Sequence, residues 1–399
     1  MSGVYGEDPA AKDHLRHGGN LWELSRRTGF GPGEILDYSA NINPAGPPPW
    51  IRDALLAAAS RVGHYPDPEC TAPREAASRK YGFPPESFLF ADGADSLLFA
   101  LPLALGVKRC LIPVPSYSGY FRAARRAGIQ AVPLPLPEDE DFSLASLEFA
   151  ETLGNALYAA STGSSTRNEV SKSLGVFESM VFLGAPNNPA GGMMPLNALR
   201  EFASKFRETC FVVDESFIEL GSGFQSLLEN DKTGSISAPD LSHNLIAVRS
   251  LTKAWAIPGA RAGFIAGNPD IMRRVRSQLP AWPLSCFAEE IVLRCLSDTS
   301  YLPATVPYLL KEADSFAAAI AASGDIKVVR SGANFLLLRF SDGPRAEEVE
   351  KHLLARGIAF RRYSPEEGLG ARYARIAVRS DRENSRFLAA LRDALSARP

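Results

Sequence analysis

Ser250, Leu251, Thr252 and Lys253, followed eight positions later by Arg261 in AIPGARAGF, put two hydroxyls, an amine and a guanidinium on one short segment. Such a set suits a phosphorylated aldehyde. A lysine amine condenses with the aldehyde carbon, while the hydroxyls and the arginine fork hydrogen-bond and neutralise the phosphate. Pyridoxal phosphate has that shape. Upstream, CFVVDES carries Asp214, a carboxylate able to keep a pyridine nitrogen protonated so that the ring draws electrons from a substrate. SMVFLGAP runs into Asn187-Asn188-Pro189-Ala190-Gly191, where the Asn188 amide can reach the phenolic oxygen of the same ring. Singly these are weak signals: a carboxylate closing an apolar strand is commonly a cap or turn residue, and Asn-Pro commonly a turn. In this order, each at the carboxyl end of an apolar strand, they describe one cofactor site.

The elements that must position them alternate. FLFADG then ADSLLFALPLAL, RCLIPVP then YFRAARRAG, SMVFLGAP then LNALREFASKF, and CFVVDES read as strand-then-helix units whose strands are nearly continuously apolar. That pattern predicts a mainly parallel sheet covered by helices, with ligands beyond the carboxyl ends of its strands. The loop Phe90 to Ser96 lies between a strand and a helix, so the backbone N–H groups of Ala94 and Asp95 face an anion at the helix start. Residues 137 to 178 read as less regular, with acidic PEDEDF and a polar STGSSTRNEVSKS expected to be solvated surface. From about residue 288 the character changes: helical EEIVLRCL, an alanine-rich YLLKEADSFAAAIAA, strand NFLLLRF, amphipathic RAEEVEKHLLARG, strand YARIAVR and a last helix opened by the capping-box pattern Ser380-Asp381-Arg382-Glu383. The expected division is an arm over 1–48, a large cofactor domain over 49–287, and a smaller α+β domain over 288–399, with no internal repeat.

GAPNNPAG, VVDESF and SLTKAWAIPGARAGF resemble the NPNNPTG, VVDEAY and Schiff-base lysine segments of the fold-type I pyridoxal-phosphate enzymes, and the resemblance runs from about residue 17 to the C-terminus. Within that superfamily, His17-Gly18-Gly19-Asn20, LDYSANINPAGPP and Phe217 are most similar to the threonine-phosphate decarboxylases of cobalamin biosynthesis, whose near relatives are the histidinol-phosphate aminotransferases. The resemblance implies a seven-stranded, mainly parallel sheet in the large domain and a homodimer. It makes Tyr117 the ring that stacks on the pyridine and Tyr65, in HYPDPE, a tyrosine that reaches the phosphate of the neighbouring subunit. Arg361 in GIAFRRY and Arg375 in YARIAVR match two family arginines, suited to a substrate with a carboxylate and a phosphate. His17 and Asn20 are expected to close over the bound phosphate. Three features depart from the family: Ala91-Asp92 at the phosphate loop, Ala190 where threonine is usual, and Thr305-Val306-Pro307 where an arginine is common.

Composition agrees with an enzyme of this kind. The 399 residues can bury a large core in two domains, and 43 basic against 45 acidic residues leave no global bias toward nucleic acid or an anionic membrane. Five cysteines, at 70, 110, 210, 286 and 295, have no metal-type spacing and imply reduced thiols in a cytoplasmic protein. The polar N-terminus lacks the apolar stretch of a signal peptide, and LLFALPLALGV is too short to span a bilayer. The expected reaction is decarboxylation of L-threonine O-3-phosphate to (R)-1-amino-2-propanol phosphate. The alternatives are transamination of the histidinol-phosphate type, or decarboxylation of another phosphorylated amino acid such as phosphoserine. A regulator that binds the cofactor passively fits poorly, because Lys253, Asp214, Asn188 and Arg261 are all present and no nucleic-acid-binding segment is appended.

Overall fold

The computed structural model describes residues 18–162, 177–229, 241, 243–323, 326–330, 333–363 and 368–396. Thirteen strands are found among them: β1 Leu36–Asp37, β2 Phe88–Asp92, β3 Arg109–Val114, β4 Gln130–Pro135, β5 Ser179–Gly184, β6 Thr209–Asp214, β7 Leu245–Ser250, β8 Ala262–Ala266, β9 Ile326–Arg330, β10 Phe335–Phe340, β11 Ile358–Ala359, β12 Arg361–Arg362 and β13 Tyr373–Ala377. Seven of them form one sheet in the order β2-β8-β7-β6-β5-β3-β4. β4, β3, β5, β6 and β7 run parallel, and β8 lies antiparallel to both β7 and β2. The chain is thus an α/β protein with a mainly parallel seven-stranded sheet. SMVFLG, TCFVVD and LIAVRS are buried at every position, as strands covered on both faces must be.

The two faces of this sheet carry separate apolar layers. Phe182, Val212 and Ile246 pack with Leu97, Leu101 and Ile271 on one side, and Val181, Phe211 and Leu245 join the larger core on the other. Period-two alternation of side chains along each strand produces that split. A second sheet, β12-β13-β10-β9, is antiparallel and lies in the C-terminal part. β1 pairs in parallel with β11, which ties the segment before residue 48 to the C-terminal part. Ser380 and Glu383 form the expected capping interaction: the Ser380 N–H and hydroxyl both donate to Glu383 Oε2, at 3.2 and 2.7 Å.

The stretch expected to be irregular from 137 differs in part: Leu147–Thr162 is a 16-residue helix. Phe149, Leu153, Leu157 and Ala160 fall on one buried stripe at helical spacing, which a reading of the surrounding polar residues overlooks. Of STGSSTRNEVSKS, all but its first two residues lies outside the described residues. No helix among the described residues is long and apolar enough to cross a membrane, and all five cysteines are free and buried.

Candidate active site

The carboxyl ends of β5, β6 and β7 open into a cavity of about 600 Å³. Around it stand Ala94, Asp95, Tyr117, Asn188, Asp214, Thr252, Lys253 and Arg261 from the large sheet's side, and Arg361 and Arg375 from the small sheet. The structure therefore gathers ten of the candidate residues at one place.

One end suits a phosphate. Gly93, at φ 79°, turns the chain from β2 into the helix Ala94–Leu105, whose first N–H groups have no partner within the helix. A Cβ on Gly93 would come within 2.4 Å of the Arg261 guanidinium, and one on Gly263 within 2.6 Å of the Ala94 nitrogen. Both glycines let the arginine and the helix start crowd together. Ser250 Oγ lies 2.8 Å from Thr252 Oγ1 and accepts from Lys253 Nζ at 3.1 Å. Ser250 is buried behind Thr252 and is not part of the cavity wall. Tyr117 donates its hydroxyl to both oxygens of Asp95, at 3.0 and 3.1 Å, which fixes its ring at the cavity's side.

Lys253 lines the cavity. Enclosure by protein holds Lys253 below the ordinary lysine pKa; Asp214 and Asp95 oppose that shift, and Arg261 and Arg375 add to it. A larger share of neutral amine at physiological pH is what a nucleophile or base requires.

At the far end Asp214 is buried, and both its oxygens are held. Oδ2 accepts from the Tyr120 hydroxyl at 2.9 Å and Oδ1 from the Ser216 N–H at 3.0 Å. Sequence alone does not mark Tyr120, because it reads as a core aromatic on the helix Gly119–Arg126 and its partner lies 94 residues away. Its ring stacks on Phe182, with centroids 5.0 Å apart. Tyr120→Phe is expected to keep that stack and lose the hydrogen bond. Stability measured in urea should fall by about 1–3 kcal/mol, and kcat by about tenfold at unchanged KM.

Behind the wall, Arg249 and Glu215 couple the ends of β7 and β6. Arg249 Nε lies 2.9 Å from Glu215 Oε2, and Arg249 Nη2 donates to Ser226 Oγ at 2.7 Å. Burial pushes the Glu215 carboxyl up, with Arg249 opposing. These residues adjoin Ser250 and Asp214 in sequence, so the pair ties the ends of β7 and β6 together behind the cavity.

On the open side, Arg375 donates to Asn188 Oδ1 at 2.6 Å and to the Ser39 carbonyl. An arginine only donates, so this contact fixes the Asn188 amide and leaves its Nδ2 as the free end. Arg361 pairs in register with Arg375 across β12 and β13. Asn41, in the LDYSANINPAGPP segment, is 4 % exposed and lines the cavity, and neither of its amide atoms has a partner among the described residues. A buried amide left so is costly, and a bound ligand would satisfy it. Three expected residues stand apart. Asn20 caps the helix Leu21–Thr28, accepting from the Glu23 N–H at 3.1 Å; its neighbours Gly18 and Gly19 line the cavity instead. Tyr65 is 78 % exposed and away from its own chain's cavity. His17 lies outside the described residues.

The sequence profile of the aminotransferase class I and II family matches residues 33–391. The chain belongs to that family. This aminotransferase-family chain is 32% identical over 373 residues to the adenosylcobalamin biosynthesis bifunctional protein CobDQ of Leptospira interrogans, covering 93% of this chain and 40% of that longer protein. It is 29% identical over 384 residues to the threonine-phosphate decarboxylase of Salmonella typhimurium, covering 95% of this chain and 96% of the other. Among solved structures it is similar to the histidinol-phosphate aminotransferase from Clostridium acetobutylicum, with 26% identity and a TM-score of 0.74, covering 91% of this chain and 100% of that one. The family's cofactor is pyridoxal phosphate. The cavity fits it: its wall brings together an amine of lowered pKa, a helix start with open N–H groups beside an arginine, and a carboxylate held at both oxygens.

Proposed function

We propose that this protein decarboxylates L-threonine O-3-phosphate, giving (R)-1-amino-2-propanol phosphate for cobalamin biosynthesis. The observation that carries this reading is the pair Arg361 and Arg375, side by side in register on the open wall of the cavity. Two guanidinium forks suit one small substrate bearing both a carboxylate and a phosphate. The similarity to threonine-phosphate decarboxylases over nearly the whole chain supports the same substrate.

Bound pyridoxal phosphate supplies an electron-withdrawing ring for whichever substrate bond at Cα is held perpendicular to its plane. Asp214, fixed by Tyr120 and Ser216, would hold a proton at the ring nitrogen. Asn188 Nδ2 would donate to the phenolic oxygen. The N–H groups of Ala94 and Asp95, with Thr252 and Arg261, would hold the phosphate end, Ser250 would brace Thr252 and Lys253 from behind, and Tyr117 would flank the ring. Lys253 would hold the cofactor through its aldehyde and, once freed by the substrate amine, would be placed to deliver the proton to Cα. The arginines, with Asn41 and residues of the N-terminal arm, hold the substrate's anionic groups and so decide which bond is perpendicular. In the decarboxylation the Cα–carboxylate bond breaks, carbon dioxide leaves and one proton is placed on Cα.

We also infer a cytoplasmic homodimer in which Tyr65 reaches the other protomer's phosphate site; its exposure outside its own cavity supports that role. Transamination of the histidinol-phosphate type is the second reading, supported by the relatives of that name.

The deciding experiment mixes holoprotein with L-threonine O-3-phosphate and measures gas and amine. One carbon dioxide per substrate, with no 2-oxo acid required, is the expected result. Conversion of the cofactor to its pyridoxamine form by histidinol phosphate, without carbon dioxide, would move the assignment to the aminotransferase.

A further inference from the structure

The acidic PEDEDF segment plays no part in the cavity, yet it grips the sheet that carries both cavity arginines. It leaves the large sheet just after the edge strand β4 and closes a turn in which the Asp141 N–H donates to the Glu138 carbonyl at 3.1 Å and the Phe142 N–H to that of Pro137 at 2.8 Å. Asp141 and Phe142 are consecutive non-glycine residues in the left-handed region, at φ 53° and 59°. Such a conformation persists where surroundings over-determine it.

Those surroundings belong to the small sheet. Lys327, Arg339 and Tyr373 are Cα partners across β9, β10 and β13 and form one row. Glu138 Oε1 accepts from Tyr373 Oη at 2.6 Å, from Arg339 Nη1 at 3.2 Å and from Arg372 Nη2 at 2.5 Å, while Asp141 pairs with Lys327 at 2.5 Å. Phe142 is buried and meets the Tyr373 ring edge-on, with centroids 5.6 Å apart. A single exposed ion pair contributes little. Here three donors converge on one oxygen beside a buried ring contact.

Tyr373 and Arg375 are two residues apart on β13, so their side chains leave the same face of the sheet. Arg361 pairs directly with Arg375. The row gripped by the turn therefore lies one step from the row that carries both cavity arginines. We propose that the turn 137–142 is a clasp that sets the small sheet against the large one, with Glu138 as a positioning residue that keeps Arg375 in reach of Asn188 and of substrate. Its consequence for substrate rests on the reading of Arg375 as a substrate-binding group.

The test uses the holoenzyme of Glu138→Ala, with the parent and Arg375→Lys beside it, titrated with L-threonine O-3-phosphate while cofactor absorbance is followed. A parallel crystal structure of holo Glu138→Ala reads the contact between Arg375 and Asn188. The expected result is an apparent dissociation constant about fivefold higher, unchanged cofactor retention, and loss of the 2.6 Å contact. An unmoved contact in the crystal, or a constant like the parent's while Arg375→Lys weakens binding, would overturn the clasp. Cofactor loss in step with substrate affinity would overturn it too, since that marks general loosening. If Arg375→Lys leaves the titration unchanged, the substrate reading of Arg375 fails, and the crystal contact alone decides whether Glu138 positions it.

Discussion

Lys253→Ala is expected to lose roughly four orders of magnitude in turnover, because one change removes both the group that anchors the cofactor and the group that moves the proton. The absorbance of the lysine-linked cofactor should vanish, while the far-ultraviolet spectrum stays that of the parent. The fold has little to lose: Nζ donates to Ser250 Oγ, and Ser250 keeps its contact with Thr252. The backbone at 253 still accepts from the Asn43 N–H at 3.0 Å. Retention of turnover within tenfold would remove Lys253 from the chemistry.

A second measurement on this residue follows from its lowered pKa. Enclosure penalises the ammonium, so the folded pKa lies below the unfolded one. Between those two values the unfolded chain binds more protons, and the stability of the cofactor-free protein rises with pH. Below the folded pKa the whole penalty is present. Cofactor-free Lys253→Met is therefore expected to melt above the cofactor-free parent near neutrality, with the gap narrowing as pH approaches the ordinary lysine value. A gap that does not change with pH would mean that the amine is not depressed.

Much of this architecture could be read from the chain, for a physical reason. Strands such as SMVFLG and LIAVRS are apolar throughout because both faces are covered, and that burial is written in composition. Direction is not: nothing in AGFIA distinguishes a strand running parallel to β7 from the antiparallel β8 that is found. That Asn188, Asp214, Lys253 and Arg261 meet at one cavity was legible because each lies at or just beyond the end of a strand or in the short segment joining β7 to β8. Tyr120 and Asn41 were not. Their importance lies in a partner far along the chain, or in the lack of one, and neither leaves a local signature. Asn20 shows the converse: an Asn before a helix is a cap by propensity, and the amide is used in that way. Arg249 and Glu215 adjoin Ser250 and Asp214 in sequence, and a buried ion pair between adjacent strand ends becomes visible only when the strands are placed.

The carboxylate at the far end gives the other large effect. Asp214→Asn is expected to lower kcat by roughly 10³-fold, because an amide cannot hold a proton at the ring nitrogen that the chemistry uses. Its hydrogen bonds also predict how the variant fails. In the parent, Oδ1 serves the Ser216 N–H and Oδ2 the Tyr120 hydroxyl. Asparagine has one acceptor oxygen for those two donors, so one buried donor loses its partner, and stability should fall by about 1–3 kcal/mol. Adding Tyr120→Phe removes the competing donor and lets the amide oxygen remain with Ser216. The double variant is therefore expected to be less destabilised than the sum of the single changes, a coupling that a denaturation cycle measures. Turnover should not recover with it, since the amide's Nδ2 still offers a hydrogen where a negative charge is needed. Stability and activity thus separate in one cycle. If activity returns together with stability, the role of Asp214 is to pack against Tyr120, and the proton at the ring nitrogen must be held by another group.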